Sequence, residues 1–119
     1  MQSPPVRRRA VALAVPLLAV FGARARAQED KPVEIRIVIK NHKFEPAEIE
    51  VPAGRKIKLT VVNEDSTPEE FESVGLKIER VIQGGRSAEF LINPLRKDRN
   101  YTFFGEFHQD TAKGRLIVK

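Results

Sequence analysis

Phe44 to Asn63 reads FEPAEIEVPAGRKIKLTVVN, and this stretch decides the fold class. Between Lys56 and Asn63, Ile57, Leu59 and Val61 fall on one side and Lys58 and Thr60 on the other. Apolar and polar residues alternating with period two mark a strand with one buried face. Pro52-Ala53-Gly54 reads as a turn. Pro46 places an edge or a bend inside the Phe44–Val51 segment, because proline cannot donate to a sheet ladder.

The same pattern continues on both sides. Val33 to Lys40 (VEIRIVIK) alternates apolar with charged residues. Glu64 to Pro68 is an acidic, turn-rich loop, and Phe71 to Ile82 holds two short apolar runs broken at Gly75. Gln83-Gly84-Gly85 is a turn and Arg86 to Ile92 a strand. Asn93 to Asn100 is a loop whose cluster Arg96-Lys97-Asp98-Arg99 reads as solvated. Tyr101 to Phe107 (YTFFGEF) is aromatic and strand-like, with Tyr101, Phe103 and Phe107 expected to face the core; Lys113 to Val118 is the last strand. No segment carries a helical period. Seven or eight short strands about ten residues apart predict an all-β sandwich.

Charge divides the chain of 119 residues. Five of its 21 basic residues (Arg7, Arg8, Arg9, Arg24 and Arg26) lie in the first 27 positions, where there is no acid. The remaining 16 match the 16 acidic residues of the rest. The basic excess therefore belongs to one terminal segment, and no nucleic-acid partner is implied. That segment reads as a secretory signal. Three arginines precede the apolar run Ala10–Gly22, and Ala25-Arg26-Ala27 fits a small-x-small cleavage site. The run falls short of the roughly 20 residues a membrane span needs. Residues 1–27 are thus expected to be removed, leaving residues 28–119 as one periplasmic domain with no direct membrane insertion.

The chain contains no cysteine. Disulfides, thiolate zinc sites and cysteine nucleophiles are excluded, and so is a blue-copper centre, which requires a cysteine thiolate. Serines in the 28–119 domain lack a nucleophile-elbow context, and no glycine loop cradles phosphate. Carboxylates and imidazoles remain. On a strand, Glu70 and Glu72 share a face while Phe71 points the other way. Glu106 and His108 have the same i, i+2 relation. If the two strands meet at one end, three carboxylates and an imidazole converge into an oxygen and nitrogen site. Such a site suits Fe(II), Fe(III), Cu(II) or Mn(II) and not Cu(I). The alternative is a solvated acidic rim with a surface histidine.

Three segments together resemble the cupredoxin family. Phe44–Gly54 with Ile57, Leu59, Val61 and Asn63 is similar to the F-x-P-x-x-I-x-V-x-x-G opening of small copper proteins. Asn63–Phe71 corresponds to the loop that brings a first histidine ligand after proline, and Tyr101–Val118 resembles the plastocyanin-type ending. The cysteine slot falls on Gly105, the methionine slot around Ala112 and Lys113, and the first histidine slot on Glu69 or Glu70. Only His108 keeps its ligand identity. The segments Pro68–Ser73 and Phe103–His108 resemble the EfeO-type cupredoxin-like subfamily, periplasmic partners of ferrous-iron permeases.

That resemblance implies a Greek-key β-sandwich of seven to eight strands and a non-blue copper or iron site. It further implies a role in binding or oxidising Fe(II) beside a membrane iron permease and a second periplasmic iron-binding protein. Carried over by position, the expected ligands are Glu70, Glu72, Glu106 and His108, with His42 on a loop that reaches the same end. Glu79 is similarly placed, and Lys113 is a candidate partner for a site carboxylate. The competing expectation is a metal-free sandwich serving as an interaction module.

Overall fold

The computed structural model describes residues 2–4 and 31–119. The expected signal segment and its cleavage site before Gln28 lie outside these, apart from residues 2–4. Among the described residues nine strands follow one another: β1 (Val33–Lys40), β2 (Lys43–Glu45), β3 (Glu48–Val51), β4 (Ile57–Asn63), β5 (Glu69–Ser73), β6 (Ile78–Ile82), β7 (Ser87–Ile92), β8 (Tyr101–Gly105) and β9 (Lys113–Val118). One short 3-10 helix, Glu106–His108, sits between β8 and β9. Among the described residues no helix is long and apolar enough to cross a membrane.

The strands form two sheets, in the orders β2-β1-β4-β7 and β3-β9-β8-β5-β6. Each sheet contains one parallel pair, β1 with β4 and β3 with β9. The sandwich expected from the alternating pattern is what forms. There are nine strands and not seven or eight because the Phe44–Val51 segment splits at Pro46-Ala47. Its first half pairs with β1 in one sheet, and its second half with β9 in the other.

Alternation decides what is buried. In β4, Ile57, Leu59, Val61 and Asn63 face inward, while Lys58, Thr60 and Val62 are half-exposed. Ile37 and Ile39 of β1 join them from the same sheet. From the other sheet come Phe71, Phe103 and Leu116. Phe71 lies at the centre, with ring centroids 5.6 Å from Phe44, 5.3 Å from Phe103 and 5.8 Å from Phe90. Burying each such ring contributes about 2–3 kcal/mol.

Two strand expectations needed correction. β8 ends at Gly105, and the next three residues turn as a 3-10 helix. Gly105 N–H donates to the Ala112 carbonyl at 2.9 Å, and Ala112 N–H to that of His108 at 2.8 Å, which closes the loop. Phe107, expected in the core, is therefore 48% exposed. Glu106 and His108 also lose their shared strand face, since residues in a 3-10 helix turn about 120° apiece.

Candidate metal centre

The strand β5 delivers its side chains to two different places. Its sequence is Glu-Glu-Phe-Glu-Ser, with positions 69, 71 and 73 buried and 70 and 72 half-exposed. Phe71 and the parity of the strand fix this. Glu69 must share the inner face with Phe71, and Glu70 and Glu72 must share the outer one.

On the inner side Glu69 is 1% exposed. Its Oε1 accepts the N–H of Phe107 at 2.9 Å and that of Glu70 at 3.1 Å. Its Oε2 is hydrogen-bonded to Nδ1 of His108. The ring of His108 stacks on His42, centroids 3.5 Å apart and planes within 11°. His42 sits in the two-residue hairpin turn between β1 and β2. There Asn41 and His42 both adopt left-handed φ values, 53° and 58°. A non-glycine residue in this region costs free energy unless its surroundings hold it.

Asp65 supplies that hold. Its carboxylate accepts the N–H of Asn41 at 2.8 Å and of His42 at 3.0 Å. Thr111 Oγ1 donates to the His42 carbonyl at 2.6 Å. Burial pushes the Asp65 carboxyl up, but those two N–H donors and the nearby His42 and His108 outweigh it and hold it below the usual carboxylate range. Asn63, fully buried, organises the same loop. Its Nδ2 donates to the carbonyls of Thr67 and Ile82, and its Oδ1 accepts from Asp65 N–H.

On the outer face, Glu70, Glu72 and Glu79 each offer a carboxylate oxygen, all within 4.8 Å of one another. Sheet register brings them there: β5 and β6 are antiparallel, with Glu72 opposite Glu79 and Glu70 opposite Val81. The side-chain contact with Glu79, then burial, then the charges of Glu79, Glu72 and Glu106 push Glu70 above the ordinary carboxylate range. Burial, then Glu106 and Glu79, push Glu72 the same way. Every charge recorded as acting on these two groups is another carboxylate, and like charges opposite one another destabilise a sheet.

The five ligands expected from the sequence thus divide. Glu70, Glu72 and Glu106 come together, joined by Glu79. His108 and His42 come together elsewhere, with Glu69 as their carboxylate. Glu69, and not Glu70, is the carboxylate bonded to His108. Lys113 is exposed and Ala112 fully buried. Sequence reasoning named Asn63 only as part of the family-like opening segment and did not single out Asp65. The parity of β5 was the available signal for Glu69.

The residues around Gly105, Ala112 and His108 do not fit a type 1 copper ion. A Cβ at Gly105 would lie 2.6 Å from Cδ and 2.7 Å from Oε1 of Glu69, and 2.7 Å from the Ala112 Cβ. The Glu69 carboxyl occupies the space a cysteine side chain would need. No sulfur remains at either position, and Nδ1 of His108 is already bonded to Glu69. The outer cluster is different. Its donors are all oxygen, gathered and mutually repelling, which fits a hard or borderline cation.

This is a two-sheet sandwich with a carboxylate–imidazole pair closing one end. The Cupredoxin-like domain family matches residues 10–118, and the chain belongs to it. It is 45% identical over 89 residues to an uncharacterized protein of Rickettsia prowazekii (strain Madrid E), covering 75% of this chain and 70% of that one. Auracyanin A from Chloroflexus aurantiacus, described as a blue copper protein, aligns over 75% of this chain and all of its own, with TM-score 0.63 and 15% identity. The metal-binding domain of the Streptococcus pneumoniae Cu(I)-exporting P-type ATPase aligns over 72% of this chain and 84% of its own, with TM-score 0.63 and 18% identity. A purple cupredoxin from Nitrosopumilus maritimus aligns over 71% of this chain and 98% of its own, with TM-score 0.53 and 22% identity. Likeness at these identities establishes the fold alone.

Proposed function

We propose that this protein is a non-blue metal-binding cupredoxin-like protein of the periplasm. It takes up iron or copper(II) through the carboxylates of Glu70, Glu72 and Glu79, with Glu106 beside them. The observation that carries this reading is the gathering of three carboxylate oxygens within 4.8 Å, on strands held in register, where neighbouring carboxylates push Glu70 and Glu72 above the ordinary range. A bound cation would relieve that repulsion. The fold adds support, since several structural relatives are described as copper proteins. The signal-like residues 1–27 support export.

The likeness of Pro68–Ser73 and Phe103–His108 to the EfeO-type subfamily supports a place beside a ferrous-iron permease and a second periplasmic iron-binding protein. Carboxylates favour the more highly charged Fe(III) over Fe(II). The cluster would therefore hold iron as substrate and favour its Fe(III) state. In this reading Glu69, His108 and His42 do not bind the substrate metal. They fix the loop that carries Glu106.

Calorimetric titration with Cu(II), and anaerobically with Fe(II), tests the proposal. Wild-type protein is expected to bind, and Glu70→Gln together with Glu72→Gln to abolish binding while the circular dichroism is kept. Equal binding by wild type and the double variant would overturn the site. Absence of binding by either would favour the metal-free interaction module.

A further inference from the structure

The end of the sandwich away from His108 has its own cleft. Antiparallel pairing of β5 with β8 places Ser73 near Thr102, whose carbonyl accepts the Ser73 hydroxyl at 2.6 Å, and Phe71 opposite Gly105. The β5–β6 turn and the 93–100 loop therefore open together, opposite the pole that holds Glu69 and His108. Between them lies a cavity of about 440 Å³. Its apolar lining includes Leu91, Pro94, Leu95 and the ring of Tyr101, and its cations are Lys77, Arg96 and Arg99.

We propose that this cleft binds a small organic anion, a carboxylate or phosphate group carried on a compact apolar body. Charge is the first argument. None of the lining residues is acidic. Arg96 gives one N–H to Asp98 at 2.9 Å, whereas Lys77 and Arg99 form no ion pair with any described residue. All three cations are exposed, and Lys77 and Arg99 can close on an anion without losing an ion pair to a described residue. Guanidinium groups match carboxylate and phosphate oxygens in pairs.

Shape is the second argument. The volume falls in the range of small-molecule sites, which combine an apolar lining with a few convergent polar groups. Leu91 is 65% exposed at this cleft, apolar surface that a ligand body would cover. The walls are built in advance. Tyr101 is buried, and its Oη accepts the N–H of Arg96 at 3.1 Å, which fixes the start of the basic loop. Gly75 allows the opposite turn to close on that ring, since a Cβ there would lie 3.3 Å from Tyr101 Cδ1. Lys77 is held at φ 58°, a costly value for a residue with a side chain. The Ser73 hydroxyl steadies the turn by accepting Leu76 N–H at 3.2 Å. A flat, purely electrostatic surface for a membrane or a polyanion would need neither the concavity nor the apolar floor.

The site is independent of the metal reading, and its test uses no metal. ¹⁵N-labelled protein is titrated with phenyl phosphate and with benzoate, and with benzyl alcohol as the neutral match. Saturable amide shifts confined to residues 75–77 and 93–101 are expected with at least one anion. The alcohol is expected to give none. Lys77→Gln combined with Arg99→Gln should weaken binding by about tenfold or more, the scale of losing charge-assisted hydrogen bonds. Both residues are exposed, so the variant should keep its circular dichroism. No saturable shift, equal binding of the alcohol, or undiminished binding by the double variant would each overturn the proposal. So would binding seen only to phosphatidylglycerol vesicles, which would make this end a membrane-facing surface.

Discussion

His42 and His108 stack ring on ring, centroids 3.5 Å apart, and each is held by its own carboxylate. Asp65 grips the backbone of the turn that carries His42. Glu69 grips the ring of His108 and the next N–H before it, that of Phe107. This end of the sandwich is thereby closed from both sides by side chains of the chain itself.

Asp65 should stabilise the left-handed turn in a pH-dependent way. Asp65→Ala removes two charge-assisted bonds, and the expected cost is about 1 kcal/mol, at the low end because the group is partly exposed. The folded-state pKa of Asp65 lies below its ordinary 3.8. Its contribution is therefore fully present above the unfolded value and is lost as pH falls through the lower folded one. Urea denaturation of the two proteins should differ at neutral pH, and the difference should shrink as pH falls through the lowered folded-state pKa of Asp65.

Glu69 is a structural carboxylate. Glu69→Ala leaves the Phe107 N–H and the His108 ring without their partner, and the expected loss is roughly 2–4 kcal/mol. Glu69→Gln keeps the shape and an acceptor, so it should lose less. A Glu69→Ala protein as stable as wild type in urea would contradict the role given to this residue.

Gly105 and Glu69 should be coupled. Adding a methyl at position 105 crowds the Glu69 carboxyl and Ala112, and such overpacking typically costs about 1–3 kcal/mol. Part of that cost should vanish when Gly105→Ala is made in the Glu69→Ala background. A double-mutant cycle measures the difference, and strict additivity would count against the crowding described here.

Glu70 is expected to destabilise the metal-free protein at neutral pH. Its folded-state pKa is raised above the ordinary 4.5 by contact with Glu79, burial and neighbouring charges. The repulsion is absent below that range, where the carboxyls are protonated, and grows as pH rises through the raised value. Glu70→Gln should therefore melt higher than wild type at neutral pH and no differently in acid. With a metal ion bound the order should reverse.

Copper added to the protein should give no intense absorption near about 600 nm, because no thiolate is present to supply the charge transfer. A strong band there would require a ligand this chain does not possess.

The sequence by itself determined the strands, because period-two alternation in segments such as VEIRIVIK and KIKLTVVN is a local property of neighbouring residues. It also excluded a blue site, since no cysteine is present anywhere in the chain. Parity along Glu69–Ser73 was legible too: with Phe71 inward, Glu70 and Glu72 had to share the outer face. Only the tertiary structure decided the rest. Whether Glu106 and His108 stayed on one strand face depended on Gly105 and Ala112 pairing across a loop, a contact with no local signature. Once the chain turned there as a 3-10 helix, His108 went to Glu69 and Glu106 to Glu72. Glu79 entered the acidic cluster through the β5–β6 register, and His42 reached His108 through a turn held by Asp65. Each of these is a meeting of residues distant in sequence, set by sheet register and loop closure rather than by residue type.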